Sequence, residues 1–459
     1  SSASTGEIRV YFNYPVDTAL PFTEQAQGNV DLGARILEKI SAATRSIDLA
    51  LYSFDDFNAS ATDIAQRLAD SLVAAKVRGV KVRMVFHDRA STGALTTLIN
   101  GGIPVLKRTV PSAGSGMHNK FWVFDGRDTV GATDDWVVTG SWNATDDGTY
   151  RDAQNAVFIQ DRSLAAIYTK EFEEMFGSAT DVANSGLARF GPTKRDDTPH
   201  WTMVGGTKVE VYFSPSDRTS AAITRTLNSA QQNIFFGLFS FTRDEIAAEI
   251  IARKGAGVIA RGIIDNINDS GSEYPVLQAA GVDVVAAGHG VVVGAFHHKY
   301  GVVDPFHDAS DPIVVTGSHN WSSAADTDND ENTVIIHSGA VARQFVREFS
   351  NRYSESGGTG SITSLTEGRE VPEVPALDAP YPNPFNPSTT VRFALPHDAR
   401  VRLRVVDVLG RTVETILEET RPAGVYTVIW NADRLATGTY LLVFDADGAR
   451  LTRKIVLLK

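Results

Sequence analysis

One ordered set of motifs occurs twice in this chain, and that constrains the fold more than anything else in it. His118-Asn-Lys120-Phe-Trp-Val-Phe-Asp125 returns as His297-His-Lys299-Tyr-Gly-Val-Val-Asp304, so both copies read H-x-K-x-x-x-x-D. Gly140-Ser141-Trp142-Asn143 follows the first copy and Gly317-Ser318-His319-Asn320 the second. Upstream, Ile8-Arg-Val-Tyr-Phe12 is echoed by Val209-Glu-Val-Tyr-Phe213, and the apolar run Ile47 to Phe54 by Ile234 to Phe241. The histidines are 179 positions apart and the asparagines 177, with the order kept throughout. Matches in constant order at a near-constant offset mean a duplicated structural unit.

Within each unit, short apolar runs alternate with helical stretches. Gly33 to Ala43 and Thr62 to Val77 have helical spacing, whereas Ile47 to Phe54 and Val80 to Phe86 read as buried strands. Gly79-Val80 opens a strand ending at Asp88, and Gly257-Val258 one ending at Asp265. Ser163 to Phe176 and Val341 to Tyr353 each look like a helix closing its unit. Strand–helix–strand order implies an α/β layered fold, a mixed sheet flanked by helices. The expected divisions are residues 1–187 and 203–353 for the two units, with a polar connector at 188–202. A Gly-, Ser-, Glu- and Pro-rich flexible linker follows at 354–380. From 381 to 459 the pattern is pure β: Thr390 to Leu395, Val401 to Asp407, Val425 to Trp430 and Tyr440 to Asp445 alternate between turns, as in an Ig-like β-sandwich.

Composition removes several function classes. Cysteine is absent, so disulfides and thiolate metal sites are excluded. No run of eighteen apolar residues is present, which leaves peripheral membrane contact at most. The net charge of -12 argues against a broad nucleic-acid footprint while allowing a small basic patch. The opening Ser-Ser-Ala-Ser, with no Met and no signal peptide, fits a processed start.

The motif residues suit phosphodiester chemistry. On a strand, His118 and Lys120 share a face, as do His297 and Lys299. Asp125 and Asp304 have the opposite parity, which gives them a structural, supporting role. Cleaving a phosphodiester takes a nucleophile, donors for the nonbridging oxygens, and an acid for the leaving oxygen. Histidine can serve as nucleophile or acid, lysine supplies point charge, and Ser141, Asn143, Ser318 and Asn320 add donors. In-line displacement wants a group on each side of phosphorus, and two facing motifs supply both.

The doubled H-x-K-x4-D with its trailing G-S-x-N resembles the phospholipase D superfamily of phosphodiesterases. The resemblance implies two α/β units about a pseudo-two-fold axis, a phosphohistidine intermediate on one histidine with the other as acid and then base, and no metal or other cofactor. It also implies a carboxylate about a dozen residues past each G-S-x-N asparagine that orients a histidine. Glu331 occupies that place after Asn320, and Gln154 the place after Asn143, where the pattern is broken. Taken within each unit, Glu331 stands behind His297 and Gln154 behind His118, with Asp152 two positions earlier able to substitute. On that pairing His118 is the nucleophile and His297 the acid. Tyr381-Pro-Asn-Pro-Phe-Asn-Pro387 and the closing Arg453-Lys-Ile-Val-Leu-Leu-Lys459 resemble the C-terminal sorting domain of type IX secretion substrates, as do Val408-Leu-Gly-Arg411, Pro422-Ala-Gly424 and Ala436-Thr-Gly-Thr-Tyr440. That implies export and a partnership with the secretion machinery.

Other histidines read as structural: His87, His200, His289, His307, His319, His337 and His397. His298 points away from the motif face. Tyr52, Phe54, Phe239 and Phe241 read as core. Asp326-x-Asp328-x-Asp330 fails as a calcium loop because Glu331 stands where glycine belongs and His337 where glutamate belongs. The expectation is therefore a secreted or cell-surface, monomeric phosphodiesterase hydrolysing or transferring phospholipid headgroups. A secreted nonspecific nuclease of the same superfamily is the alternative. A surface binding protein with a disused site sits badly with His, Lys, Ser and Asn being present in both units.

Overall fold

The computed structural model describes residues 6–54, 63–87, 93–108, 116–128, 131, 133–288, 292–360, 362, 374–421, 424–446 and 448–459. Asp88, His289 and Pro422 lie outside these. The chain divides into two compact units, Ser1–Ser364 and Leu365–Lys459.

In the larger unit the first repeat comprises β1 (Ile8–Phe12), α1 (Leu32–Ala42), β2 (Ser46–Leu51), α2 (Ile64–Val77), β3 (Lys81–His87), α3 (Gly93–Asn100), β4 (Val105–Arg108), β5 (Lys120–Phe124), β6 (Trp136–Gly140), α4 (Asp146–Tyr150), β7 (Asn155–Gln160) and α5 (Arg162–Phe176). The second comprises β8 (Trp201–Val204), β9 (Thr207–Ser214), α6 (Thr219–Asn228), β10 (Asn233–Leu238), α7 (Asp244–Gly255), β11 (Ile259–Ile264), α8 (Tyr274–Ala279), β12 (Asp283–Ala286), β13 (Lys299–Val303), β14 (Ile313–Gly317), α9 (Ser323–Thr327), β15 (Glu331–His337) and α10 (Gly339–Glu355). The sheet orders are β1-β7-β6-β5-β2-β3-β4 and β8-β9-β15-β14-β13-β10-β11-β12, the same sheet twice with β8 added at an edge. In each, the strands joined by helical crossovers pair in parallel and the motif strand pairs antiparallel, giving the mixed sheet.

Local chemistry sets the helix limits. Asp31 caps α1 by accepting from the Ala34 N–H, and Leu32, Ile36 and Ile40 form its buried stripe. Asp63 caps α2, so that helix starts just inside the span expected from Thr62. Asp161 opens α5, and Gly177, at φ 74°, closes it in the left-handed conformation that favours glycine.

The two closing helices form the centre of the larger unit. A shared core holds Phe172 and Phe176 of α5 and Phe345 and Phe349 of α10, together with Phe121, Val157, Phe213 and Tyr300 from both sheets. Helices α1 to α3 cover the other face of the first sheet, and α6 and α7 that of the second. With both faces covered, the inner strands are largely apolar, and the charges buried in β2 and β3, Asp48 and Arg83, pair with each other at 2.7 Å. A large side chain buried in such a core contributes roughly 1.5–3 kcal/mol. An exposed ion pair contributes at most about 1 kcal/mol, so packing joins the repeats. The connector at 188–202 is itself structured. It holds a 3-10 turn at Gly191–Thr193 and the start of β8, and buried Lys194 pairs with Glu171 of α5.

The smaller unit contains β16 (Ala376–Leu377), β17 (Ser388–Leu395), β18 (Ala399–Val406), β19 (Thr412–Arg421), β20 (Gly424–Asn431), β21 (Gly438–Ala446) and β22 (Ala449–Leu457). They form sheets β16-β17-β20 and β19-β18-β21-β22. Val391 and Phe393 of one sheet meet Leu403 and Phe444 of the other, the Phe393 and Phe444 rings 5.0 Å apart, which makes a sandwich. Edge strands β19 and β22 escape the alternation pattern because their side chains are mostly exposed and polar. Within the span expected as a linker, 354–380, α10 continues to Glu355 and β16 begins at Ala376, while residues 361 and 363–373 lie outside the described ones.

Candidate active site

The two motifs adopt the same geometry. Lys120 opens β5 and Lys299 opens β13, so each histidine precedes its strand. Lys120 Nζ lies 3.0 Å from His118 Nε2 and 3.0 Å from the His118 carbonyl oxygen. Lys299 Nζ lies 3.3 Å from His297 Nε2 and 2.9 Å from the His297 carbonyl oxygen. An ammonium only donates, so each Nε2 presents a lone pair and the ring proton belongs on Nδ1, an assignment taken from the network.

The Nδ1 partners overturn the pairing expected within each unit. His118 Nδ1 donates to Glu331 Oε2 at 2.8 Å, and His297 Nδ1 to Gln154 Oε1 at 3.1 Å. Each histidine is oriented from the opposite repeat. The cause lies in sheet order: β6 separates β5 from β7, so Gln154 is two strand spacings, roughly 10 Å, from His118 in its own sheet. Across the pseudo-two-fold axis the chains run side by side. His118 N donates to the Asp330 carbonyl at 2.9 Å and His297 N to the Ala153 carbonyl at 3.0 Å. Met117 bridges Asp330 and Ala153 bridges Phe296.

Glu331 also accepts from Ser318 Oγ at 2.6 Å and from Asn329 Nδ2 at 3.1 Å. Ser318 Oγ accepts from Asn332 N and Ser141 Oγ from Asn155 N, each at 3.0 Å, so both serines pin the strand carrying an orienting residue. Asn143 and Asn320 each hold a buried Oδ1 with no partner. An unsatisfied amide at the same place in both halves is a group available to a ligand. Asp125 accepts from the N–H groups of Thr44, Arg45 and Ser46 at 2.7–3.1 Å. Asp304 does the same for Gln231, Gln232 and Asn233 at 2.7–2.8 Å. Both aspartates tie the far end of the motif strand to its neighbour, away from the histidines.

Burial and the neighbouring lysines hold both His118 and His297 well below the ordinary imidazole range, and burial holds Lys299 well below the ordinary ammonium range. Burial raises Glu331. The free site thus favours neutral histidines, and an arriving phosphate anion supplies the charge that favours the imidazolium.

Several residues take part unexpectedly. Tyr52 and Phe239, expected in the core, are half-buried just past β2 and β10 and pack on the motif rings. The Tyr52–His118 centroids are 4.6 Å apart and the Phe239–His297 centroids 4.7 Å, with a lysine ammonium 5.0 Å from each aromatic ring. Phe54 and Phe241 are buried in the core. His87 packs on Tyr52 at 4.9 Å, which places it beside the site. Asn155 and Asn332 lace the repeats together: Asn155 reaches His298 Nδ1 at 2.9 Å and Thr316 Oγ1 at 3.1 Å, and Asn332 reaches Thr139. Their repeated place, one residue after Gln154 and Glu331, is the signal in the sequence that marks them. His319 occupies the slot of Trp142 and is buried with neither ring nitrogen partnered. Asp326 pairs with Arg243, and Asp330 with Arg108 at 2.6 Å, so these two acidic side chains diverge. Among the described residues, no group of three or more His, Cys, Asp or Glu side chains is arranged to hold a metal ion. Nor is any described helix long and apolar enough to cross a membrane.

Two family descriptions match the chain. "Cardiolipin synthase, PLD-like domain" covers residues 36–176 and 223–353, and "Secretion system C-terminal sorting domain" covers residues 379–458. The chain belongs to the PLD-like domain family and carries a C-terminal sorting domain. A mitochondrial cardiolipin hydrolase of Xenopus tropicalis is 32% identical over 146 residues, 31% of this chain and 65% of that protein. A phospholipase D of Rickettsia bellii is 24% identical over 180 residues, 39% of this chain and 85% of that protein. The match thus spans under two thirds of the cardiolipin hydrolase's length. Among solved structures, the phosphatidylserine synthase of Haemophilus influenzae Rd KW20 is similar in fold, with a TM-score of 0.52 and 14% identity over 74% of this chain and 86% of that one.

Proposed function

We propose that this protein is a secreted phosphodiesterase that cleaves phospholipid headgroups through a histidine-bound phosphoryl intermediate. The observation that carries the chemistry is the pair of Nε2 lone pairs, each beside a lysine, presented by two histidines oriented from opposite repeats. His118 Nε2 attacks phosphorus, the bond to the leaving oxygen breaks, and His297 protonates that oxygen. His297 then takes a proton from water, which attacks the phosphohistidine and frees His118. Lys120 and Lys299 hold the nonbridging oxygens, with the Nδ2 groups of Asn143 and Asn320 as further donors.

The cross-pairing reverses the reason for choosing His118. A phosphohistidine that keeps its Nδ1 proton is cationic, and Glu331, 2.8 Å from that nitrogen, is the negative partner it needs. Gln154 accepts the same bond without a full charge, so His297 releases its proton more readily. The net charge of -12 favours a lipid over a long polyanion. The sorting domain supports action outside the cell. The test is release of choline from phosphatidylcholine vesicles beside nicking of plasmid DNA, both in chelator, with the adduct located by digesting rapidly quenched enzyme. DNA cleavage alone would replace the lipid with nucleic acid. Inertness toward both substrates would sink the proposal, and an adduct on the His297 peptide would exchange the two roles.

A further inference from the structure

Gln154 leaves one buried group unexplained. Its Oε1 serves His297, but its Nε2, in a side chain with no solvent exposure, has no partner. The equivalent oxygen of Glu331 does have one, Asn329 Nδ2 at 3.1 Å. The residue at the place of Asn329 in the first repeat is Asp152, two positions before Gln154 as Asn329 is two before Glu331. The carboxylate and the amide have changed places: Asn329 with Glu331 in one half-site, Asp152 with Gln154 in the other.

We propose that Asp152 is a positioning residue that supplies the His297 half-site, through the Gln154 amide, with the negative charge that Glu331 supplies to His118 directly. The inference rests on the phosphodiesterase reading for its meaning but not for its test. Asp152 Oδ1 accepts from Ala295 N at 2.9 Å, which fixes the carboxylate beside the segment leading to His297. A carboxylate two residues away along the chain is the acceptor we assign to the unpaired Gln154 N–H. Burial raises Asp152, the Ala295 N–H and then the charge of Lys299 oppose that rise, and the carboxylates of Asp147 and Asp265 add to it, so Asp152 shares the field of the motif lysine with Asp265, which accepts from Phe296 N at 2.6 Å. The arrangement also suits the acid. A charge passed through an amide supports the imidazolium less than a direct carboxylate does, so His297 can hold a proton against the lysines and still release it.

The test is a two-position swap read by pH. Asp152→Asn keeps an acceptor for Ala295 N, so a purely structural role survives it. In the wild-type background, Asp152→Asn should lower kcat/KM by about tenfold. It should also move the descending, acid-group limb of the pH profile to lower pH, because removing a nearby negative charge lowers the His297 pKa. With Gln154→Glu in place, the same change recreates the Asn329–Glu331 pattern. It should then cost nothing or raise activity, and the limb should stand at or above its wild-type position. Substrates are phosphatidylcholine and p-nitrophenyl phosphocholine, whose phenolate leaves without a proton and should be spared. Equal losses in both backgrounds, or an unmoved limb in Asp152→Asn, would overturn the proposal. The His297 Cε1 proton, titrated by NMR in the same variants, gives the pKa order without turnover. An enzyme inert on every diester would therefore refute the functional reading alone, while the titration still decides the role of Asp152.

Discussion

At the residue scale each motif histidine is oriented by the other repeat, and the proposed mechanism has both act on one phosphorus. His118→Ala and His297→Ala should each lower turnover by about 100- to 10,000-fold, the usual size for a proton-transferring group. A single variant keeping near-wild-type kcat on the preferred diester would rule out a shared site. Glu331→Gln makes the His118 half resemble the His297 half. It removes a charged hydrogen bond worth about 1.5–3 kcal/mol, so turnover should fall about 10- to 100-fold. The ascending limb of the pH profile should move to lower pH, because the neutral nucleophile becomes easier to generate once the carboxylate is gone. A shift in the descending limb instead would mean that Glu331 serves His297.

At the element scale, strand ends are held by buried side chains acting on backbone. Asp125 satisfies three N–H groups at the start of β2, each worth roughly 1–3 kcal/mol if stranded. Asp125→Ala should therefore cost about 3 kcal/mol or more in urea unfolding, and Asp125→Asn clearly less; equal losses would contradict the count. At the end of β15, His337 joins Asp311 at 2.8 Å and Glu210 of β9 at 3.0 Å. Burial alone would lower this histidine, but the two carboxylates carry it up to about 9. Because the folded value lies above the unfolded one, its contribution is fully present below the unfolded pKa of about 6.5. It is lost as pH rises through about 9. The Tm gap between wild type and His337→Gln should shrink over that interval, and a gap that widened toward alkaline pH would disprove the sign.

At the scale of the whole molecule, the repeats share one core through α5 and α10, whereas the sorting domain has a separate core of its own. Residues 1–364 alone should fold and keep full kcat while losing export; insolubility of that fragment would show that the β-sandwich supports the catalytic body. Activity should persist in excess EDTA, since the proposed mechanism assigns the phosphate charge to Lys120 and Lys299. Loss of activity restored by a single divalent ion would refute that division of labour.

The duplication, the motif residues and the β-rich tail follow from the order of side chains along the chain, because periodicity and spacing are one-dimensional properties. His118, Lys120, Ser141 and Asn143 and their counterparts are marked by recurrence at a fixed offset, and Asp125 by its parity against Lys120. What recurrence cannot reveal is which copy serves which. Read along the chain, Glu331 belongs with His297; in the fold it belongs with His118, because β6 lies between the motif strand and β7 while the two-fold axis brings the opposite repeat alongside. Tyr52, Phe239 and His87 escaped for a different reason. A ring at or just past a strand end has the same sequence pattern as one within the core, and only the pairing of strands within each sheet decides that Tyr52 and Phe239 meet the motif histidines, with His87 stacked on Tyr52. Chain order thus determined the chemical groups and their number, and the tertiary structure decided their pairing, since orientation across a symmetry axis is set by contacts that no local pattern encodes.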